Sequence, residues 1–74
     1  MNTYTRKFMQ YFVEVSVDET GTECWITDTN FNACSSLAAA QCTGTIADDT
    51  HGRDIPISDY ALDLIETWAI MVGY

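Results

Sequence analysis

The sequence predicts one small α+β domain, in which an antiparallel sheet carries helices packed on one of its faces. Three patterns support this prediction: alternating apolar residues over 11–17, turn-forming residues directly after them, and an amphipathic helical pattern over 59–72. A chain of 74 residues has room for a single hydrophobic core, so the domain spans residues 1–74. The predicted order is strand, strand, helix, strand, strand, helix.

The first two strands are predicted to form a hairpin. Residues 8–17 alternate with a period of two, and residues 18–21 supply turn chemistry before a second strand over residues 22–28. A register that pairs Val17 with Thr22 places the apolar residues of both strands on one face. The opposite face is either exposed or covered by another element, and it would carry Phe12, Glu14, Ser16, Glu23, Trp25 and Thr27.

The middle of the chain predicts a short helix followed by two short strands. Asp28 or Asn30 can cap a helix over residues 31–41, whose apolar face would include Phe31 and Cys34. Residues 42–47 and 53–57 are candidate strands joined by an acidic loop, and Pro56 favours an edge position for the second of them.

A second helix is predicted from Ser58 or Asp59, either of which can serve as its cap, to about Val72. An apolar stripe along this helix should cover the sheet. The stripe consists of Ala61, Leu64, Ile65, Trp68, Met71 and Val72.

The charge balance is the most informative global feature. Eleven Asp and Glu face three Lys and Arg, which gives a net charge of −8 at pH 7. Such a surface repels nucleic acid and anionic membranes and favours a basic partner, so direct binding to either is not expected. By surface scaling each net charge has about 570 Å² of surface, so the carboxylates must cluster if they are to imitate nucleic acid. Acidity that serves only solubility is the alternative.

Two clusters of carboxylates are candidate partner contacts. The helix acids fall at i, i+4 and i+7 of the last helix, without a base to relieve them, and are Asp59, Asp63 and Glu66. The sheet acids are Glu14 and Glu23, and the tip acids Asp18 and Glu19 extend them at the hairpin turn. Trp25 and Phe12 beside the sheet acids could anchor an interface. A solvated helix face, and a core position for the two aromatic residues, are the alternatives.

The segment 48–54 holds the one group that could suggest a metal or acid–base site, namely Asp48, Asp49, His51 and Asp54. The spacing fits neither a calcium loop nor a zinc motif, and a lone exposed histidine without a paired nucleophile is a poor catalyst. We therefore expect a turn-forming loop in which Asp48 and Asp49 contact a partner. No enzymatic activity, metal or cofactor is expected.

The three cysteines indicate a reducing compartment. Cys24, Cys34 and Cys42 cannot all pair within the chain, and its first residues show no signal-peptide pattern. A cytoplasmic location is therefore expected, with Cys24 and Cys34 pointing into the core. No apolar run approaches the ~20 residues of a membrane helix.

A short acidic chain with a strand-rich start, a compact helix and this distribution of carboxylates resembles the phage-encoded anti-CRISPR proteins, several of which mimic DNA. The residues that carry the likeness are Glu14, Asp18, Glu19, Glu23, Asp48, Asp49, Asp59, Asp63 and Glu66. It covers the whole chain in size and charge, and no residue role is transferred by position. The resemblance implies a stoichiometric inhibitor in the bacterial cytoplasm that occupies the basic DNA-binding surface of a CRISPR effector, such as a type I surveillance complex. Inhibition would work by DNA mimicry or by steric occlusion.

A second function remains open. The chain could be an antitoxin-like or adaptor module that binds proteins through its aromatic and apolar surface, as a homodimer through Trp25 or through a sheet edge.

Overall fold

The structure is a computed structural model that describes residues 2–74, and these residues form six strands and two helices. The elements are β1 (Asn2–Phe8), β2 (Tyr11–Asp18), β3 (Gly21–Asp28), β4 (Cys34–Ser36), α1 (Leu37–Thr43), β5 (Thr45–Asp48), β6 (Arg53–Pro56) and α2 (Asp59–Val72). Strands β1 to β4 form an antiparallel sheet in sequence order, and β5 pairs with β6 in a separate two-stranded sheet. The predicted α+β class is confirmed, with two strands more than the predicted order contained.

The β2–β3 hairpin has the predicted register. Val17 pairs with Thr22, and the pairs that follow keep the apolar residues of both strands on one face, where Val13, Val15 and Ile26 are buried. The turn is closed by the Asp18 carboxylate, whose Oδ1 accepts hydrogen bonds from the backbone N–H groups of Thr20 at 2.8 Å and Gly21 at 3.1 Å. The alternation of apolar residues in the strands and the hydrogen bonds of the turn therefore specify the same register of β2 and β3.

Strand β1 was not predicted, and the strand predicted over residues 8–17 is wrong at its beginning. Phe8 ends β1 and pairs with Tyr11, so Met9 and Gln10 form a two-residue turn. Met9 takes a positive φ of 53°, as the first central residue of a type II′ turn does. Most of β1 is exposed at the edge of the sheet, so its sequence carries no strong apolar alternation.

The helix predicted over residues 31–41 begins later, because a loop and a strand precede it. Asp28 does not cap a helix; its Oδ1 accepts hydrogen bonds from the N–H groups of Asn32 and Ala33 and closes a loop. Phe31 in that loop has a φ of 59°, which a right-handed helix excludes. After β4, Ser36 caps α1 by accepting from Ala39 N, and the helix ends at Gly44, which has a φ of 70°.

Cys24 and Cys34 were both predicted in the core, and the prediction is wrong for Cys34. Cys24 is buried on β3, and burial raises the pKa of its thiol to about 11. Cys34 lies opposite Thr27 on β4 and is exposed on the other face of the sheet. The difference arises because Cys34 belongs to a strand, in which the register rather than helical spacing sets the direction of the side chain.

Helix α2 begins and ends as predicted. Its cap is Ser58, whose Oγ accepts a hydrogen bond from Ala61 N at 3.1 Å. The buried face differs from the predicted stripe, since Leu62 and Ala69 are buried whereas Leu64 and Met71 are exposed. The helix is thus rotated, and part of the apolar stripe remains in solvent.

Both helices and the β5–β6 sheet pack on one face of the four-stranded sheet, which we call the inner face. One core cluster joins Val13 and Ile26 of the sheet with Leu37 of α1, Ile46 of β5 and Ile65 of α2. The other face, the outer face, lies opposite all of these elements. Neither helix of residues 2–74 combines the length and the apolar character that a bilayer span requires.

Candidate functional site

The outer face of the four-stranded sheet is exposed, which decides the alternative that the sequence left open. The registers place these residues on it: Thr3, Thr5 and Lys7 of β1, Phe12, Glu14 and Ser16 of β2, Glu23, Trp25 and Thr27 of β3, and Cys34 and Ser36 of β4. Phe12 is 38% exposed and Trp25 is 41% exposed. Two large aromatic side chains therefore lie on an open sheet face without a covering helix.

A third aromatic residue, Phe31, reaches this face from the loop that follows β3. Its ring stacks on that of Phe12, with centroids 5.5 Å apart and planes 10° from parallel. Phe31 is 73% exposed and has a positive φ, which costs about 1–3 kcal/mol for a bulky residue. Strain of this kind persists only where the surrounding structure holds it in place.

The Asp28 loop supplies that restraint. The buried Asp28 side chain accepts from two backbone N–H groups at 2.8 and 3.0 Å, and its backbone N–H donates to Ala33 O at 3.1 Å. Thr29 N also donates to Gln10 O, at 3.2 Å, which ties the loop to the β1–β2 turn. Phe31 is thus placed on the outer face by a loop that is hydrogen-bonded at both ends.

Phe12 and Phe31 form one wall of a shallow groove of about 280 Å³. Its lining residues are Thr5, Phe12, Val13, Glu14, Thr27 and Phe31. Glu14 is the single charged residue among them, and its direct cross-strand neighbours are Thr5 and Trp25. The groove therefore combines aromatic surface with one carboxylate.

The sheet acids are exposed and carry no ion pair within residues 2–74. Glu14 lies opposite Trp25, and Glu23 lies opposite Ser16, so the two carboxylates are diagonal neighbours across β2 and β3. Lys7, opposite Phe12, is the one base among the outer-face residues. The face thus carries a small net negative charge beside its aromatic residues.

The tip acids are exposed at the end of the β2–β3 hairpin. Hydrogen bonds from the side chain and the backbone N–H of Thr20 lower the pKa of Asp18. Burial opposes this shift, and a hydrogen bond from the Gly21 N–H adds to it. Asp18 is therefore engaged in closing the turn, whereas Glu19 is exposed.

The helix acids lie in the other layer of the molecule, because α2 packs on the inner face. Asp59 and Asp63 are exposed, and Glu66 is half-buried, with its Oε2 accepting a hydrogen bond from Gln41 Nε2 of α1 at 2.6 Å. The two predicted clusters, sheet acids and helix acids, therefore do not share one face.

Asp48 was predicted as an exposed contact, and the structure corrects this because the residue is only 1% exposed. Its Oδ2 lies 2.9 Å from His51 Nδ1 and accepts from Arg53 Nε at 3.4 Å, while its Oδ1 accepts from His51 N at 3.0 Å. Burial alone would raise the pKa of Asp48, but the hydrogen bonds and charge of His51, together with Arg53, hold it below its usual value. The residue joins β5 to β6.

The two other acids of this segment, Asp49 and Asp54, do not converge with Asp48. Asp49 and Asp54 are exposed, and no three His, Cys, Asp or Glu side chains within residues 2–74 are grouped as a metal ion would require. Asp49 remains available for contacts at the loop surface.

Phe31 is the site residue that sequence reasoning placed incorrectly. It was assigned to the apolar face of a helix, although the turn-forming residues Asp28, Thr29 and Asn30 before it favour a loop. Thr5 was also missed, because β1 was not predicted.

Comparison of the chain with family models, curated proteins and solved structures finds no match.

Proposed function

We propose that this protein is a stoichiometric inhibitor that binds a basic surface of a nucleic-acid-binding protein, and that its target is a CRISPR effector such as a type I surveillance complex in the bacterial cytoplasm. The observation that carries the proposal is the open outer face, on which Phe12, Trp25 and Phe31 are exposed beside carboxylates that form no ion pair within the described part of the chain. Aromatic residues supply much of the binding energy at hot spots, and carboxylates favour a partner rich in Lys and Arg.

The size of the face limits how the protein binds. Three strands of seven or eight residues and the three-residue strand β4, spaced about 4.8 Å apart, present roughly 400 Å². A standard interface buries about 800 Å² per partner, so the contact must extend beyond the strands. The hairpin tip with Glu19 and the loop with Phe31 border the face and provide this extension.

The placement of the carboxylates favours steric occlusion over extended DNA mimicry. A mimic needs a row of charges at phosphate spacing, whereas the outer face offers Glu14 and Glu23 and one opposing base, Lys7. The helix acids cannot continue the row because they lie in the other layer. We infer that the acids steer the encounter and that the aromatic residues hold the complex.

The test compares charge reversal in the two layers. Glu14→Lys combined with Glu23→Lys should abolish inhibition, since it adds repulsion to a basic partner at the centre of the contact. Asp59→Lys combined with Asp63→Lys makes the same change of charge in the helix layer and should inhibit like wild type. Inhibition is measured as phage plating on CRISPR-immune bacteria and as target-DNA binding by the purified effector, after thermal unfolding has shown that both variants are folded.

Two results would contradict the proposal. The first is a wild-type protein that restores phage plating against none of the type I complexes in a panel. The second is that both double variants inhibit as well as wild type.

A second candidate is a homodimeric interaction module, which a different surface favours. The outward side of α2 carries an apolar flank made of Tyr60, Leu64, Trp68 and Met71, of which Tyr60 is 68% exposed and Met71 is 78% exposed. Trp68 packs edge-on against Phe8 at 5.6 Å, so the flank adjoins the open edge of β1. Two copies could pair their β1 edges and bury both flanks.

Light scattering during size-exclusion chromatography separates this candidate from a monomer. A dimer whose mass is unchanged by added salt supports it, and Met71→Lys should dissociate that dimer. Ile70→Lys is the matched control, because Ile70 is also exposed but projects from α2 about 100° away from Met71.

A further inference from the structure

The groove on the outer face combines aromatic rings with a carboxylate, and both of these attract cations. Phe12 and Phe31 present ring surface, and Glu14 presents an exposed carboxylate on the same groove. Ring faces attract cations, and a carboxylate attracts them more strongly when it has no competing ion pair. The occupant that satisfies both is a cationic side chain.

The shape and chemistry of the groove favour an arginine over a lysine. A planar guanidinium stacks on aromatic rings and donates two parallel hydrogen bonds to one carboxylate, whereas an ammonium is a strongly hydrated point charge. The threonine hydroxyls of Thr5 and Thr27 can accept the remaining donors. A volume of about 280 Å³ suits one side chain and lies below the range typical of drug-sized ligands.

The chain's own bases leave this position open. Arg6 lies on the inner-face side of β1, with its guanidinium 5.0 Å from the centre of the Phe8 ring, and Arg53 is bound to Asp48. Lys7 shares the outer face and lies opposite Phe12, which makes it a diagonal neighbour of Glu14, yet it forms no ion pair within residues 2–74. The carboxylate of Glu14 therefore has no ion-pair partner among the described residues.

The loop that carries one of the two rings is closed by hydrogen bonds. Phe31 is held at a positive φ by the hydrogen-bonded Asp28 loop, so the second ring is in place before a partner arrives. A site built in advance spares the partner the entropy of ordering a loop.

We infer that this groove binds an arginine side chain of the partner, with the guanidinium packed on a ring face that the Phe12–Phe31 stack leaves open and hydrogen-bonded to Glu14. The inference rests on the proposed function, because it names the residue type that the outer face would engage on a basic protein. It requires no particular identity for that protein.

The test uses the isolated protein and a small probe. Nα-acetyl-arginine methylamide is titrated into ¹⁵N-labelled protein at constant ionic strength, and the amide shifts of Glu14, Thr27 and Phe31 are followed with the Trp25 indole. We expect saturable shifts that are confined to the amides of Glu14, Thr27 and Phe31 and to the Trp25 indole. The uncharged citrulline analogue, which keeps the shape of the side chain, should give none, and the lysine analogue should bind more weakly.

Two variants assign the contacts. Glu14→Gln should weaken binding of the probe about two- to fivefold, as expected for an exposed ion pair. Phe31→Asn should weaken it by a similar factor, because asparagine tolerates positive φ and keeps the loop while removing the ring. Glu66→Gln, which removes a carboxylate from the other layer, should bind the probe like wild type.

The inference is overturned if citrulline shifts the same amides, if the lysine analogue binds as tightly as arginine, or if Glu14→Gln leaves the affinity unchanged. These outcomes differ from failure of the proposed function, which is read from phage plating and target-DNA binding. A protein that inhibits a CRISPR effector but ignores the probe keeps the first proposal and loses this one.

Discussion

Asp48 contributes to the fold through a buried side chain that is not exposed to a partner. Its buried carboxylate meets His51 and Arg53, both of which are largely in solvent, so the pair links the β5–β6 hairpin at its turn. A buried carboxylate that lost these partners would be destabilising, because nothing else would compensate its charge. The sequence grouped Asp48 with His51 but not with Arg53, and it predicted an exposed contact for Asp48, which is buried.

The depressed pKa of Asp48 makes a prediction about acid. A group whose pKa is lower in the folded state stabilises the fold above its unfolded pKa of about 3.9, and loses this contribution as pH falls through the folded value. Asp48→Asn should therefore lower the Tm by several degrees at pH 6, and the difference from wild type should shrink below about pH 4. Thermal unfolding followed by circular dichroism from pH 6 to 2.5 measures it.

Asp49→Asn provides the control for this experiment, because Asp49 is the exposed neighbour of Asp48. It should match wild type across the range. A constant gap between Asp48→Asn and wild type at every pH would show that packing, rather than the charge of Asp48, stabilises the hairpin.

At the scale of elements, the sequence predicted the strands and turns that a local residue pattern specifies. It missed the elements whose structure depends on pairing or packing with a neighbouring element. The β2–β3 hairpin was predictable because Val13, Val15 and Val17 alternate up to a turn that Asp18 closes. Strand β4 has three residues, and its backbone becomes a strand only by pairing with β3, so Cys34 could be read equally well as helical. The open outer face could not be decided either, since it depends on which side the helices pack.

The cap of α2 is an element-scale prediction. Ser58 Oγ accepts from Ala61 N, and helix α2 supplies Ala61, Ile65 and Ala69 to the core. Ser58→Ala should lower the free energy of unfolding by about 1 kcal/mol, measured by urea denaturation. Ser58→Asp, which restores an acceptor beside the positive end of the helix dipole, should recover most of that loss. Equal stability of the alanine variant and wild type would contradict the role of this cap.

At the scale of the whole molecule, the acids belong to different layers and their fields add only at long range. The sequence proposed the two clusters and left their relation open, because that relation depends on the tertiary arrangement. The described chain measures 34 × 23 × 21 Å, so the sheet acids and the helix acids are separated by a large part of the molecule's thickness. Their mutual repulsion therefore depends on ionic strength.

This separation predicts opposite effects of salt on folding and on binding. The Debye length is about 30 Å at 0.01 M salt and about 8 Å at 0.15 M, so charges across the whole molecule repel at the lower value and are screened at the higher one. With a net charge of −8, the Tm should rise by a few degrees between these concentrations of NaCl, whereas association with a basic partner should slow. Asp49→Asn combined with Asp63→Asn removes two charges outside the outer face, so it should reduce the salt dependence of the Tm. Differential scanning fluorimetry and stopped-flow binding measure the two quantities, and a Tm that falls with salt would show that attractive charge pairs outweigh the repulsion.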